Sequence, residues 1–289
     1  INLDDPSDTW MMAGTMNLGG VGTLMITRLE GSPVELLGST TVTNRAAVTA
    51  DCHLRSGSDL TLDGPASILR LAGASSVSAT AQILGAGLLQ TGFGGTLTLE
   101  PGLDMDDAGL ENLGTLEFGP SVGLVVTDRF TTAEDATWRV RLGGPTAGLD
   151  HDLLAVTDGP VELDGALEVE MVDLGPGFYE PQIGETFTIL SGPGNVSGAF
   201  DTQPISFAPG RAYLWSVTVT AAAVYLELEE IVPCPADLSG DGQVDGADLG
   251  ILLAAWGPCD ECLADLNLDR EVDGADLGVL LASWGPCPL

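Results

Sequence analysis

The chain has 289 residues and carries 42 acidic side chains against nine cationic ones, for a formal net charge of −33. Such a surface cannot neutralise phosphates or anionic headgroups, which excludes nucleic acid and lipid surfaces as leading partners. All nine cations are Arg, and the missing Lys removes Schiff-base chemistry, P-loop phosphate binding and Lys-based isopeptide links.

Gly (39) and Pro (17) are abundant and aromatics make up 5%, which suits a packed but turn-rich β protein of one large or two unequal domains. No run approaches the ~18 apolar residues needed to span a bilayer. The start at Ile1 is expected of a processed secretory precursor or of a truncated chain.

From Ile1 to about residue 127 the sequence is built of short alternating segments between Gly, Asp and Asn. Examples are Gly22-Thr23-Leu24-Met25-Ile26, Leu60-Thr61-Leu62-Asp63-Gly64, Gly95-Thr96-Leu97-Thr98-Leu99 and Gly114-Thr115-Leu116-Glu117-Phe118. The steps Leu24 to Leu60, Leu60 to Leu97 and Leu97 to Leu116 fit a repeat of about 18–20 residues, with intermediate strands at Thr41-Val42-Thr43 and Ser78-Ala79-Thr80. That period predicts a parallel β-solenoid (β-helix), with Ala86-Gly87 and Asn112-Leu113-Gly114 at corners. Regular strands of an antiparallel sandwich give a similar texture.

Between about residues 128 and 232 the strands lengthen, as in Trp138–Leu142, Ala166–Glu170, Thr186–Leu190, Leu214–Val219 and Val224–Leu228. A β-rich cap or a continuation of the solenoid is expected there, ending in a joint at Glu229-Glu230-Ile231-Val232-Pro233. The series WRVRL, GLDHDLLAV, VELDGALEVE, GETFTIL, VSGAF, WSVTVT and VYLELE resembles the C-terminal part of autotransporter-type β-helix passengers and similar secreted bacterial adhesins. The resemblance implies a β-helix with a β-rich cap and a structural or adhesive role, not an enzyme. Asn195-Val196-Ser197 matches a glycosylation acceptor, which carries little weight in a bacterial protein.

The last segment, 233–289, states one sequence twice. Residues 236–259 and 264–287 align without a gap and share 18 of 24 positions. Calcium takes six to eight hard oxygens, which a twelve-residue loop supplies from positions 1, 3, 5, 7 (a carbonyl), 9 and 12. The first loop offers Asp237, Ser239, Asp241, Gln243, Asp245 and Asp248; the second offers Asp265, Asn267, Asp269, Glu271, Asp273 and Asp276. Gly242 at position 6 suits a positive φ, whereas Arg270 in the second copy costs on the order of 1 kcal/mol there. Val244 and Val272 are expected in a small core, paired with one another. Two Ca²⁺ ions are expected, and without them eight converging Asp residues leave the tail poorly folded.

Cys234, Cys259, Cys262 and Cys287 bracket the repeats, which reads as disulfide stapling in an oxidising compartment in preference to a zinc site. Two pairings are natural: Cys234–Cys287 with Cys259–Cys262, which clasps the two ends, or Cys234–Cys259 with Cys262–Cys287. The clasping one is preferred, and Cys52 is left as a buried thiol.

The doubled loop, Asp at position 12 and a single helix after each loop resemble the type I dockerin family over residues 234–289. The resemblance implies a cohesin-like partner contacted through positions 10–11 and 17–18. Here those are Gly246-Ala247, Gly274-Ala275, Leu253-Ala254 and Leu281-Ala282, a departure from the family's polar and basic pattern that suggests an apolar contact or packing on the β region. Leu249, Leu252, Leu253, Trp256 and their copies Leu277, Leu280, Leu281 and Trp284 are expected in the core.

Asp150-His151-Asp152 is the one enzyme-like cluster, but it lies in a turn with no nucleophile beside it. His53 beside Cys52 carries less, and Arg28, Arg45, Arg55 and Arg70 are too scattered to form the basic face of a polysaccharide lyase. The sequence thus predicts a secreted or cell-surface, non-enzymatic, calcium-binding structural or adhesive protein. Such a protein is expected to assemble head-to-tail into an extracellular fibre; capture of the tail by a cohesin-like partner and a polysaccharide-active β-helix enzyme follow as the alternatives.

Overall fold

The computed structural model describes residues 10–12, 16–18, 23–26, 34–36, 39–42, 45–48 and 51–287, except 106, 176, 202, 260, 261, 268 and 269. Among these residues the chain is mainly β, with two short helices near its end.

Three sheets are entirely parallel, and successive strands are dealt among them in turn. The first sheet holds Trp10–Met12, Val34–Leu36, Cys52–Leu54, Ala74–Val77, Thr96–Leu99, Thr115–Phe118, Thr137–Leu142 and Ala166–Met171. The second holds Met16–Leu18, Ser39–Val42, Asp59–Leu62 and Gln82–Leu84. The third begins with Thr23–Ile26 and Arg45–Val48 and ends with Val161–Leu163 and Val196–Gly198. From Leu124–Thr127 onward, the strand between those of the first and third sheets belongs to a fourth sheet.

Strand alternation places every second side chain inside. Leu69, Leu89, Leu110, Phe130, Val161 and Val196 follow one another in register across the third sheet, and all are buried. Leu97, Leu116 and Trp138 do the same in the first. One apolar core runs from Val34 to Leu228.

The register corrects the periodicity expected above. Leu97 does pair with Leu116, but Leu24, Leu60 and Leu97 lie in three different sheets and are not successive rungs. The Gly-Thr-Leu signature occurs on more than one face, so its spacing does not measure the advance from a strand to its partner. That advance varies, from Val34 pairing with Cys52 to Leu154 pairing with Leu190. Thr41 and Val42 are in a strand, whereas Ser78-Ala79-Thr80 follows the strand Ala74–Val77.

Asn112 ends a strand at a corner and is fully buried. Its Oδ1 accepts from Thr91 Oγ1 at 2.7 Å and from the Gly114 amide at 3.2 Å, and its Nδ2 donates to Thr137 O at 2.8 Å. One amide side chain thereby ties three turns of the chain together.

Parallel pairing continues past residue 128 to Val196–Gly198. The change of architecture comes at Ile205–Ala208, which begins an antiparallel run with Arg211–Val219 and Ala223–Pro233. Ile205–Ala208 also packs on Ala166–Met171, the last strand of the first sheet. The expected joint at residues 229–233 is the end of an eleven-residue strand, with Pro233 opposite Arg211.

A second, smaller core follows, formed by Cys234, Ala236, Leu238, Val244, Leu252, Ala264, Val272, Leu280 and Cys287. Helix α1 is Gly246–Ala254 and α2 is Gly274–Ala282. Each starts with a capping box, Asp245 with Asp248 and Asp273 with Asp276. Val244 and Val272 share this core, but their strands do not pair with one another. Gln243–Val244 pairs with Gly285–Pro286, and Glu271–Val272 with Gly257–Pro258, so each loop is closed by the segment after the other helix.

The duplicated acidic loops

In the first loop Asp237 is fully buried and collects amides. Its Oδ1 accepts from Gly240 N at 2.8 Å and Asp241 N at 3.2 Å, and its Oδ2 accepts from Gly242 N at 2.9 Å. Asp248, also fully buried, accepts from Ser239 N at 2.8 Å through Oδ1 and from Asp245 N at 2.7 Å through Oδ2. Ser239 Oγ donates to Asp237 at 3.3 Å, whereas Asp248 meets position 3 only through its backbone amide; among the described residues no three carboxylates of the loop bring their oxygens within 4.8 Å of one another. Asp241 and Asp245 are exposed and accept from Gln243 N and Ala247 N.

The second loop repeats this arrangement. Asp265 Oδ2 accepts from Arg270 N at 2.7 Å, and Asp276 accepts from Leu266, Asn267 and Asp273 amides at 2.8, 3.1 and 2.8 Å. Asp273 caps α2, Glu271 is exposed on its two-residue strand, and Asp269 lies outside the described residues. Gly242 and Arg270 both have positive φ, 84° and 73°; Arg270 thus adopts the left-handed conformation that its position demands.

Burial alone raises the carboxyl pKa of Asp248 and of Asp276, but the backbone amides outweigh it and hold both below the ordinary value. Both are therefore carboxylates at neutral pH. The groups offered by the first loop are carboxylates, a hydroxyl and a backbone carbonyl, a hard-oxygen donor set of the kind calcium takes and zinc or copper do not.

The cysteines pair as Cys234–Cys287 and Cys259–Cys262, with Cα separations of 5.7 and 5.9 Å. Asp237 lies 3.6 Å from Cys287 Sγ, grouping Cys234, Asp237 and Cys287. Both sulfurs are in the disulfide and have neither proton nor thiolate, so the contact is no hydrogen bond and the trio is no thiolate metal site. Cys52 is free and buried, with its thiol pushed up to about 12 by burial.

The helices correct the expected tail core. Leu252 and Leu280 are buried and Leu249 and Leu277 half-buried, but Leu253, Trp256, Leu281 and Trp284 are 52, 50, 53 and 50% exposed. The helices are apolar nearly all round, so periodicity did not tell the covered stripe from the open one.

His151 is buried, with Nδ1 2.9 Å from Gly144 O, Nε2 3.0 Å from Thr188 O and its ring edge-on to Phe187. Both flanking acids point elsewhere: Asp150 accepts from Thr146 N, and Asp152 from Arg141. The triplet is a knot of structural contacts. His53 meets Ser76 Oγ at 2.8 Å. Arg45 and Arg70 lie in the third sheet while Arg55 follows a first-sheet strand, and Arg28 is outside the described residues.

Sequence reasoning passed over Arg139, which bridges Glu117 and Glu168 at 2.7 and 2.9 Å on the outer face of the first sheet. A cleft of about 560 Å³ lies there, lined by Ser76, Thr98, Glu100, Glu117, Arg139 and Glu170 among others. Alternating charges in WRVRL were its only trace in the sequence.

No protein-family model matches the chain, and no curated protein matches it.

Proposed function

We propose that the chain is a secreted, calcium-binding structural protein. In this reading a β-solenoid body ends in a dockerin-like pair of calcium loops, by which a partner protein holds it. The observation that carries the reading is the duplicated apolar face: Leu253 and Leu281 in the last turns of the two helices, with Trp256 and Trp284 just past the helix ends, are half exposed at equivalent points. An exposed apolar patch marks an interaction surface, and Trp is among the residue types most enriched at interface anchors.

The solenoid reading is supported by parallel pairing of every third strand over much of the chain and by one continuous core. The calcium reading is supported by the oxygen-only character of both loops and by the burial of Asp237, Asp248, Asp265 and Asp276. Two disulfides support an oxidising compartment. The partner's face is apolar with a basic rim, because a chain at −33 repels a second copy of itself. End-to-end fibre growth is disfavoured where Ile205–Ala208 covers the last strand of the first sheet. A non-catalytic role is supported by the structural contacts that occupy His151 and Asp152.

The test is capture from the secretome of the source cells by the full chain in calcium, in EGTA, and with Trp256→Ala and Trp284→Ala together. One basic-rimmed protein retained in calcium, and lost both in EGTA and with the double variant, supports the reading. Retention that ignores both changes overturns it, and self-capture replaces it with polymerisation.

A further inference from the structure

The two loops are near copies, yet they meet the β region differently. The strand Ile205–Ala208 alternates, with Ser206 and Ala208 buried, which puts Phe207 on its outer side. Phe207 is nevertheless half-buried, because it packs on the small core of the tail. Its ring lies directly over Gly242: a Cβ there would fall 2.7, 2.8 and 2.9 Å from Phe207 Cζ, Cε1 and Cε2. Gly240 is equally close to the next turn, where a Cβ would fall 2.8 Å from Pro209 Cδ. The backbone adds two bonds, from Gly210 N to Asp237 O at 2.7 Å and from Cys234 N to Gly210 O at 2.8 Å.

The sequence carries the same asymmetry. Only six of the 24 aligned positions differ between the copies, and two of them are these glycines, replaced by Leu268 and Arg270. Arg270 has the same positive φ as Gly242, so backbone conformation alone does not require glycine at position 6. Close approach of the Phe207 ring does.

We propose that the β body completes the first loop through Phe207, Pro209 and Gly210, so that the two sites bind calcium with unequal affinity and the first is coupled to the body. The proposal rests on the calcium reading above. Phe207, Pro209 and the Gly210 amide act as positioning groups: they hold Asp237, Ser239 and the turn at Gly242 in place before a cation arrives, which lowers the ordering cost of binding. The first loop is then a structural site, retained when calcium falls. The second, beside Trp256 through its pairing with Gly257–Pro258, fills and empties separately.

The test is calorimetric titration of the full chain with Ca²⁺, together with hydrogen exchange of residues 205–210. Two binding steps are expected. Phe207→Leu weakens the tighter step about tenfold, equivalent to ~1.4 kcal/mol, and leaves the weaker one unchanged. Asp276→Asn abolishes the weaker step alone. In the unaltered chain calcium raises protection at the Gly210 amide, a readout that stands even where the Phe207 variant fails to fold. Equal shifts of both steps, no shift of either, or unchanged protection at Gly210 overturns the coupling and leaves the calcium reading intact. A titration without heat or exchange change overturns both.

Discussion

Asp152 and Arg141 are bonded at both ends. Asp152 Oδ2 accepts the Arg141 amide at 2.9 Å and Nε at 3.1 Å, while Oδ1 accepts Nη2 at 3.2 Å and the Gly123 amide at 3.0 Å. Both side chains are shielded, with Asp152 fully buried. Burial, the larger effect, still raises the Asp152 carboxyl above its ordinary value, and Arg141 offsets part of that. Arg141→Met therefore strands a buried carboxylate and lowers stability by about 3–5 kcal/mol, whereas replacing both partners with apolar residues costs less. Denaturant unfolding of the single and double variants measures the difference; a single variant as stable as the double one refutes it.

Asn112 has a comparable role without charge. Asn112→Ala removes the acceptor of Thr91 Oγ1 and the donor to Thr137 O inside the core. Each buried group left unpaired costs about 1–3 kcal/mol, so a total loss near the upper end is expected by thermal or denaturant melts. Asn112→Leu, similar in size but without the amide, recovers none of it.

Cys52 is expected to resist thiol reagents at pH 8 in the folded chain and to react at once in denaturant. Its thiol rises from 9.0 to about 12 on folding. Between those values the unfolded chain has lost the proton that the folded chain keeps, so stability falls as pH rises through that window. Cys52→Ala flattens this alkaline slope. An unchanged slope in that variant assigns the alkaline loss to other groups.

Cys234–Cys287 closes nearly the whole tail, a sequence separation of 53. Chain-entropy reasoning gives about 4 kcal/mol for a loop of that length, lost on replacing both cysteines by Ser. The loss is confined to the tail: fluorescence of Trp256 and Trp284 shifts to lower denaturant while the β-sheet signal of the body holds. Peptide mapping without reductant tests the pairing directly, and a Cys234–Cys259 peptide excludes it.

The acidic loops were legible because their spacing is local. Ligands at positions 1, 3, 5, 7, 9 and 12, an apolar eighth residue and a helix after the twelfth lie within one short segment, while the sequence left two disulfide pairings open and only preferred the clasping one. The strand assignments in the first half were legible for the same reason, since alternation is a property of neighbours. Their pairing was not. Leu24 and Leu97 end the same Gly-Thr-Leu signature on two different sheets and Leu60 lies on a third, and the intervening turns vary in length, so the arithmetic of the spacing mixed faces that only the register separates.

Sequence alone determined a β-rich, acidic, Lys-free chain with two oxygen-lined loops, because composition and short-range spacing suffice for that. Tertiary structure decided which apolar residues the tail leaves open and why the loops differ. Leu252 and Leu253 are neighbours of one residue type, and what packs over α1 buries the first and leaves the second half exposed. Gly242 and Arg270 occupy the same position with the same sign of φ; the ring of Phe207, 35 residues upstream of Gly242, is what requires glycine at one and tolerates arginine at the other.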